Sequence, residues 1–464
     1  MTQRTTNTAL VLTGLLVVAA CGTDIPVEYG AAAAIDSVVN AALESGPLAG
    51  ASVAIAQSGE VVYVGSYGLA DIAAGTSVTP LTRFNAASVG KMIAAAGVMR
   101  LVDDRRVRLT DRVADLLPEL QDVETLRGVQ LRHLLSMTSG LPDYVQADLG
   151  RWEATHAPLE PAFVLEQVRS QPRAFAPGTE WMYSNTGFYL AGLVVEEVTG
   201  STWGEFITTN VLPALGLSQT GLCDAMGRER SVGYEVADSS FILSVQDQET
   251  GIRGDAGLCA TTSDLALLPS RLKAGALSSD ALESMVSSTR LDDGTEIDYG
   301  HGVARGRLFG RELWGHLGGA GSIVAALVHF EAADVSIAVA VNTREASLGA
   351  LVLMGDVARA VLSPEDAPLP ELPPEDDVLS QLAGRYVGDR DRTAYSVLVE
   401  SDTLFRARPG VPTARLPLLW RGDLEFGRAD WPLDRFRFHM VAGRVTGFST
   451  YYNGVFDGFY ARRD

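Results

Sequence analysis

Lysine is nearly missing from this chain of 464 residues: Lys91 and Lys273 stand against 35 arginines. Arginine keeps its proton at any physiological pH, so chemistry that needs an amine base has only those two side chains to draw on. Basic charge is short overall. A formal net charge of -20 leaves no basic surface to displace counterions from a phosphate backbone, which excludes nucleic acid as a partner. Cysteine and histidine are scarce, three and six, and no spacing among them matches a metal site; no motif calls for a cofactor. Long apolar runs are lacking too. The run from Ala9 to Ala20 is too short to span a bilayer comfortably.

What is present begins with the lysines. Each follows a serine by three positions, in Ser88-Val89-Gly90-Lys91 and in Ser270-Arg271-Leu272-Lys273. Positions i and i+3 share a helix face, where an amine can activate a hydroxyl as a nucleophile. Context separates the two pairs. Beyond Lys91 the chain runs Met92-Ile93-Ala94-Ala95-Ala96-Gly97-Val98-Met99, apolar nearly all round, as in a helix buried inside a domain. Burial disfavours the charged ammonium. Lys273 has Arg271 beside it and Gly275, Ser278 and Ser279 beyond, the pattern of an exposed helix end where a lysine complements the dipole.

Length points to two or three units. Arg4 and the run from Ala9 to Ala20 read as an export signal over residues 1–20. Its end, Val18-Ala19-Ala20-Cys21, resembles the lipobox of bacterial lipoproteins, which implies cleavage before Cys21 and lipidation of its thiol. The expected location is therefore exported and lipid-anchored to a bacterial membrane. A short tether, residues 21–30, follows. Cys223 and Cys259 would then meet an oxidising compartment, where a disulfide and two separate buried thiols stay equally open.

A helical stretch runs from Ala31 to Leu43. Two strand-like runs, Ala51 to Gln57 and Glu60 to Tyr67, join through Ser58-Gly59 as a hairpin. A second pair, Ser322 to Phe330 and Val335 to Asn342, precedes a helical run from Leu348 to Leu362. The simplest assembly is an α/β (α+β) domain over residues 31–362. A mainly antiparallel sheet is flanked by the first and last helices, and the middle, with helices at Pro161 to Arg169 and Phe188 to Thr199, forms an inserted helical lobe. Residues 363–377 are proline-rich and acidic, a stiff linker. Residues 378–464 alternate in short runs, among them Tyr395 to Glu400, Thr403 to Arg408, Phe436 to Val441 and Val445 to Tyr452, with a tight turn at Asn453-Gly454. They read as a small antiparallel all-β barrel.

A serine nucleophile also needs an acid/base partner and an oxyanion hole. Tyr183-Ser184-Asn185 places a phenol and an amide two residues apart. Tyr451-Tyr452-Asn453 repeats the pattern at a strand end and its turn. The third element is Trp314-Gly315-His316-Leu317-Gly318-Gly319-Ala320-Gly321-Ser322, leading into a predicted strand, with glycines that let a substrate lie against backbone. S-x-x-K, Y-x-N and H-x-G in this order resemble the serine β-lactamase and penicillin-binding protein superfamily, in its class C β-lactamase-like branch. Leu131-Arg132-His133-Leu134-Leu135-Ser136-Met137-Thr138-Ser139-Gly140-Leu141-Pro142, Pro177-Gly178, Glu197-Val198-Thr199-Gly200 and Leu212-Pro213-Ala214-Leu215-Gly216-Leu217 add to the likeness.

The resemblance implies an acyl-enzyme serine hydrolase. Ser88 would attack a carbonyl, Lys91 and Tyr183 would share the acid/base work, and Asn185 would hold substrate. The Ser88 and Gly319 amides would form the oxyanion hole, with His316 and Gly318 in the substrate strand. Where β-lactamases usually carry lysine, this chain has His316, mostly neutral at pH 7 when unperturbed. That change favours small esters or amides, as in esterases and D-amino-acid peptidases. The alternatives are a D,D-carboxypeptidase or β-lactamase acting on peptidoglycan fragments or β-lactams, and a catalytically silent binding protein. Arg344 is a second candidate for the missing charge. Met137, where the branch often has histidine, carries no expected catalytic consequence.

Overall fold

The computed structural model describes residues 29–45, 48–145, 160–226, 230–237, 240–244, 253–343, 347–362, 376–388, 394–400, 403–408, 415–422, 424–428 and 433–463. Cys21, the signal, Arg344 and most of the linker lie outside them.

Helix α1 (Tyr29–Ser45) leads into β1 (Gly50–Gln57) and β2 (Glu60–Asp71). The hairpin turns at Ser58 and Gly59, with φ of 51° and 81°, the left-handed pair that a two-residue turn between twisted strands requires. Late in the chain come β3 (Ala304–Leu308), β4 (Arg311–Ala320), β5 (Ile323–Phe330) and β6 (Val335–Val341). They form one antiparallel sheet in the order β2-β1-β6-β5-β4-β3. Strands β5 and β6 are buried along their whole length. Both faces are therefore covered, which is why these runs read as continuously apolar rather than alternating.

Between β2 and β3 lies the inserted lobe. Its central helix, α2 (Gly90–Asp103), buries nearly every residue from Gly90 to Met99, Lys91 included. A second, α3 (Asn185–Thr199), ends at Gly200 with φ 72°, so Thr199-Gly200 is a left-handed helix stop. Helix α4 (Thr262–Arg271) leaves the lobe to pack on the sheet, tied to it by the 2.7 Å hydroxyl contact of Thr262 with Ser52. Helix α5 (Ser347–Leu362) packs against α1 and the sheet.

The C-terminal residues build an eight-stranded barrel: β7 (Gly384–Gly388), β8 (Ala394–Glu400), β9 (Thr403–Ala407), β10 (Arg415–Gly422), β11 (Glu425–Gly427), β12 (Arg435–Val441), β13 (Arg444–Tyr452) and β14 (Val455–Arg462). Pairing of β7 with β14 closes it. Tyr386, Phe426, Phe436, Phe438 and Phe448 fill its interior. The barrel is not a separate bead. Gly306 of β3 pairs with Val455 of β14, so the two sheets are continuous, and Tyr451, Val455, Phe456 and Phe459 belong to the core of the first domain. Gly306 permits this junction, since a Cβ there would lie 1.7 Å from the Gly454 carbonyl oxygen.

Candidate active site

Ser88 occupies a single tight turn, Ala87–Val89, that runs straight into α2. Ala87 holds a left-handed φ of 48°, a conformation costing a residue with a Cβ about 1–2 kcal/mol. Asn85 Oδ1 steadies it by accepting a bond from the Ala87 backbone N–H at 2.8 Å. Behind the turn, Phe84–Asn85 pairs with Leu258–Ala260, which pairs in turn with Gly221–Leu222. A disulfide joins Cys223 to Cys259 there, so the strand bracing the Ser88 turn is covalently tied. On the opposite side β4 passes close by. A Cβ on Gly318 would lie 2.8 Å from Ser88 N, whereas one on Gly319 would meet nothing within 4 Å. Gly318 is thus the close-packing glycine, and the exposed Gly319 faces open space.

Lys91 lies one turn along, fully buried. Its Nζ donates to Ser88 Oγ at 3.0 Å, to Asn185 Oδ1 at 2.8 Å and to the Asp255 carbonyl oxygen at 2.6 Å. All three acceptors are uncharged. The Tyr183 hydroxyl donates to Ser88 Oγ at 2.7 Å. Ser88, Lys91 and Tyr183 therefore converge on one oxygen, the arrangement in which a hydroxyl proton can be withdrawn and returned.

The Y-x-N segment is a helix start. Ser184 is the N-cap of α3, its Oγ accepting from Gly187 N at 3.2 Å, and Asn185 takes the first helical position. Asp143 Oδ2 accepts from Asn185 N at 3.2 Å and from its Nδ2 at 3.0 Å. With the amide nitrogen turned to Asp143, Oδ1 faces Lys91, so Asn185 seats the lysine and has one N–H left for a substrate. Met137 serves the same segment: its Sδ accepts from Ser184 N at 3.3 Å and its carbonyl from Met182 N at 2.9 Å. It thus touches the segment that carries Tyr183, a part that sequence alone did not assign to it.

Two carboxylates feel the charge of the lysine, Asp255 buried and Asp143 half-buried. Burial pushes the Asp255 carboxyl up to about 6, against the Lys91 charge and the hydrogen bond from the Tyr144 hydroxyl, which hold it down. Burial also raises Asp143, opposed by the bonds it accepts from Val145 and Asn185.

His316 lies in the second half of β4, not at the start of a strand as expected; the turn at Gly321-Ser322 intervenes before β5. It is buried. The Tyr299 hydroxyl lies 3.0 Å from its Nε2, and its Nδ1 lies 2.6 Å from the Leu317 carbonyl oxygen. The Leu317 carbonyl calls for Nδ1–H as donor, while the Tyr299 hydroxyl can donate to Nε2 or accept from it. The tilted Tyr183 and His316 rings stand 6.3 Å apart.

Sequence reasoning passed over Asp143, Tyr144, Asp255, Trp181 and Tyr299. Asp143 and Tyr144 directly follow the quoted Leu141-Pro142, which was the available signal; Asp255 sits in a stretch with no pattern.

The profile of the family described as Beta-lactamase matches residues 35–352. Penicillin-binding protein 4* of Bacillus subtilis (strain 168) is 29% identical over 268 residues, which cover 54% of this chain and 58% of that protein. The chain spans about half the length of the curated relatives it matches. Among solved structures, the octameric penicillin-binding protein homologue from Pyrococcus abyssi superposes with a TM-score of 0.63 at 21% identity, covering 93% of this chain and 100% of that one. The D-amino acid amidase from Ochrobactrum anthropi SV3 gives a TM-score of 0.61 at 20% identity over 72% of this chain and 99% of its own. At such identities these two likenesses speak for the fold. The family match spans most of the chain and includes all three motifs that meet around Ser88, and on that ground the chain belongs to the beta-lactamase family.

Proposed function

We propose that this chain is a serine hydrolase that acylates Ser88 and acts on small esters or amides, D-amino-acid amides among them. The observation that carries the reading is Ser88 Oγ within hydrogen-bond reach of both Lys91 Nζ and the Tyr183 hydroxyl. With the Lys91–Tyr183 pair one proton short, as amine with phenol or ammonium with phenolate, the Ser88 hydroxyl proton passes to it as the Oγ–carbonyl bond forms. That proton then goes to the leaving alcohol or amine as its bond to the acyl carbon breaks. Water adds to the ester, gives one proton to the same pair, and the acid departs while Ser88 regains its hydrogen. The Ser88 and Gly319 N–H groups are the donors that would meet the oxyanion.

His316 favours esters and amides over the D,D-carboxypeptidase or β-lactamase reading. Both its ring nitrogens have protein partners, and a histidine, unlike the lysine usual at this place, carries no fixed positive charge for a substrate carboxylate. The D-amino acid amidase that shares this fold is the precedent for that substrate class, as the penicillin-binding protein homologue is for the alternative. The test exposes the protein to a fluorophosphonate probe and to a fluorescent penicillin, then maps adducts by peptide mass spectrometry. Fluorophosphonate alone on Ser88 is the expected result; penicillin on Ser88 as well redirects the reading to wall peptides. No adduct from either probe overturns it in favour of a silent binder. Lipid anchoring through Cys21 is proposed alongside, on the Val18-Ala19-Ala20-Cys21 segment; metabolic labelling with a fatty acid that persists in Cys21→Ser would refute it.

A further inference from the structure

The barrel grips the two segments that carry the catalytic side chains. Strand β14 sends Phe456 into a cluster with Trp181 and Tyr299, at ring distances of 5.0 and 6.3 Å. Trp181 stands two residues before Tyr183 and edges against its ring at 6.4 Å. Its buried indole N–H has no hydrogen-bond partner among the described residues, so ring packing alone holds it. Tyr299, packed on Trp181 at 5.5 Å, reaches His316 Nε2 with its hydroxyl. Three polar contacts flank the cluster. Arg463 pairs with Glu180, the neighbour of Trp181. The Tyr451 hydroxyl donates to Asp298, the neighbour of Tyr299, at 2.6 Å, and Arg437 adds an ion pair to the same carboxylate at 3.3 Å. Burial, then Asp298, keeps the Tyr451 hydroxyl well above its ordinary range, so it stays a donor.

We propose that Phe456 of the C-terminal barrel is a positioning residue for the reaction at Ser88, holding Tyr183 through Trp181 and His316 through Tyr299. The inference rests on the hydrolase reading above. A buried aromatic cluster fixes ring positions to well under an ångström, and displacement of a catalytic group by about 1 Å costs up to 10²-fold in rate. Removing the Phe456 ring leaves a void beside Trp181 into which the indole relaxes, and Tyr183 follows because it lies two residues along the same chain. The cluster reaches β4 at His316, while the exposed Gly319 is the part of that strand open to a substrate, so the loss falls more on kcat than on KM.

The experiment uses the full-length chain, with Ser88 labelling by a fluorophosphonate and hydrolysis of a p-nitrophenyl ester as the two rates. Phe456→Ala should lower kcat and the labelling rate by about 10- to 100-fold with KM within about 3-fold. Phe456→Leu should restore most of the rate. Gly306→Ala, which drives a Cβ into the Gly454 carbonyl and lifts the hairpin tip, should reproduce the slow phenotype without touching any ring. Phe438→Leu, inside the barrel and remote from Trp181, should lower the unfolding temperature yet keep the rate. Folded Phe456→Ala and Gly306→Ala with undiminished rates overturn the proposal, as does equal slowing by Phe438→Leu. Should Phe456→Ala fail to fold, the Phe456→Leu and Gly306→Ala rates decide. Absence of Ser88 labelling in the unaltered protein overturns the hydrolase reading first and this one with it, an outcome distinct from failure in the variants alone.

Discussion

Lys91 and Lys273 each follow a serine by three residues, yet the fold puts them to opposite uses. Lys91 is enclosed, donates to Ser88, and has only uncharged atoms as acceptors. Lys273 is part exposed and spends its charge on Glu331 at 2.8 Å and Asp334 at 3.3 Å. Its serine faces elsewhere: Ser270 Oγ donates to the Leu267 carbonyl at 2.8 Å. The neighbouring carboxylates respond in opposite directions. Hydrogen bonding to His329, then to Lys273 and Trp314, holds Glu331 well below the usual carboxylate range, while burial lifts Asp255 to about 6. An identical spacing is thus an ion pair at the surface and a hydrogen-bonded serine–lysine pair in the interior, because a buried lysine is tolerable only where acceptors surround its Nζ.

The largest expected effect tests this contrast directly. Lys91→Arg should lower kcat/KM for an ester by about 10³-fold or more, since the guanidinium keeps its proton. Lys273→Arg should leave the rate unaltered; a comparable loss there would erase the distinction. Next comes pH. Asp255 binds its proton more tightly folded than unfolded, so its contribution to stability is full below about 4 and is lost as pH rises through about 6, by roughly 3 kcal/mol. Asp255→Asn should remove that slope from the pH dependence of the unfolding midpoint. An unchanged slope would mean the carboxylate is not strained beside Lys91.

Tyr183→Phe removes the hydroxyl that Ser270 has no counterpart for, and the acylation rate should fall about 10²-fold. Retention of full rate would leave Lys91 as sole base. Asp143→Ala frees the Asn185 amide to turn away from Lys91, and a loss of about 10-fold in kcat is expected, the worth of one hydrogen bond. The smallest effect belongs to the surface pair. Glu331 holds its proton less tightly folded than unfolded, so its contribution is present above about 4.5 and lost as pH falls below that. Glu331→Gln should flatten the acid side of the stability curve slightly, with no change in rate.

Much of the framework was legible because it is local. The expected strand Ala51 to Gln57 and helix Leu348 to Leu362 gain one residue each at their starts, Gly50 and Ser347, and Asn453-Gly454 forms the foreseen turn with φ of 44° and 77°. The repeat of Y-x-N at Tyr451 to Asn453 is a strand end and turn, and it also anchors the barrel through Asp298. That second part was not legible, since residues 298 and 451 are 153 apart in sequence and nothing in either segment names the other. Asp255 escaped notice for the same reason. It presents a backbone carbonyl to Lys91, which any residue type carries, so the side chain leaves no mark of the contact.

The sequence by itself offered two serine–lysine pairs at i and i+3, a spacing that allows a hydroxyl and an amine to meet and that does so at Ser88 and Lys91. It determined equally where α2 is buried and where α3 stops. Only the tertiary structure decided which lysine meets its serine, that Cys223 and Cys259 pair, and that a barrel strand packs behind the candidate site. Those outcomes rest on contacts spanning 94 and 164 residues at Lys91 and on a single glycine at the sheet junction, and packing at such separations is settled by the whole core at once.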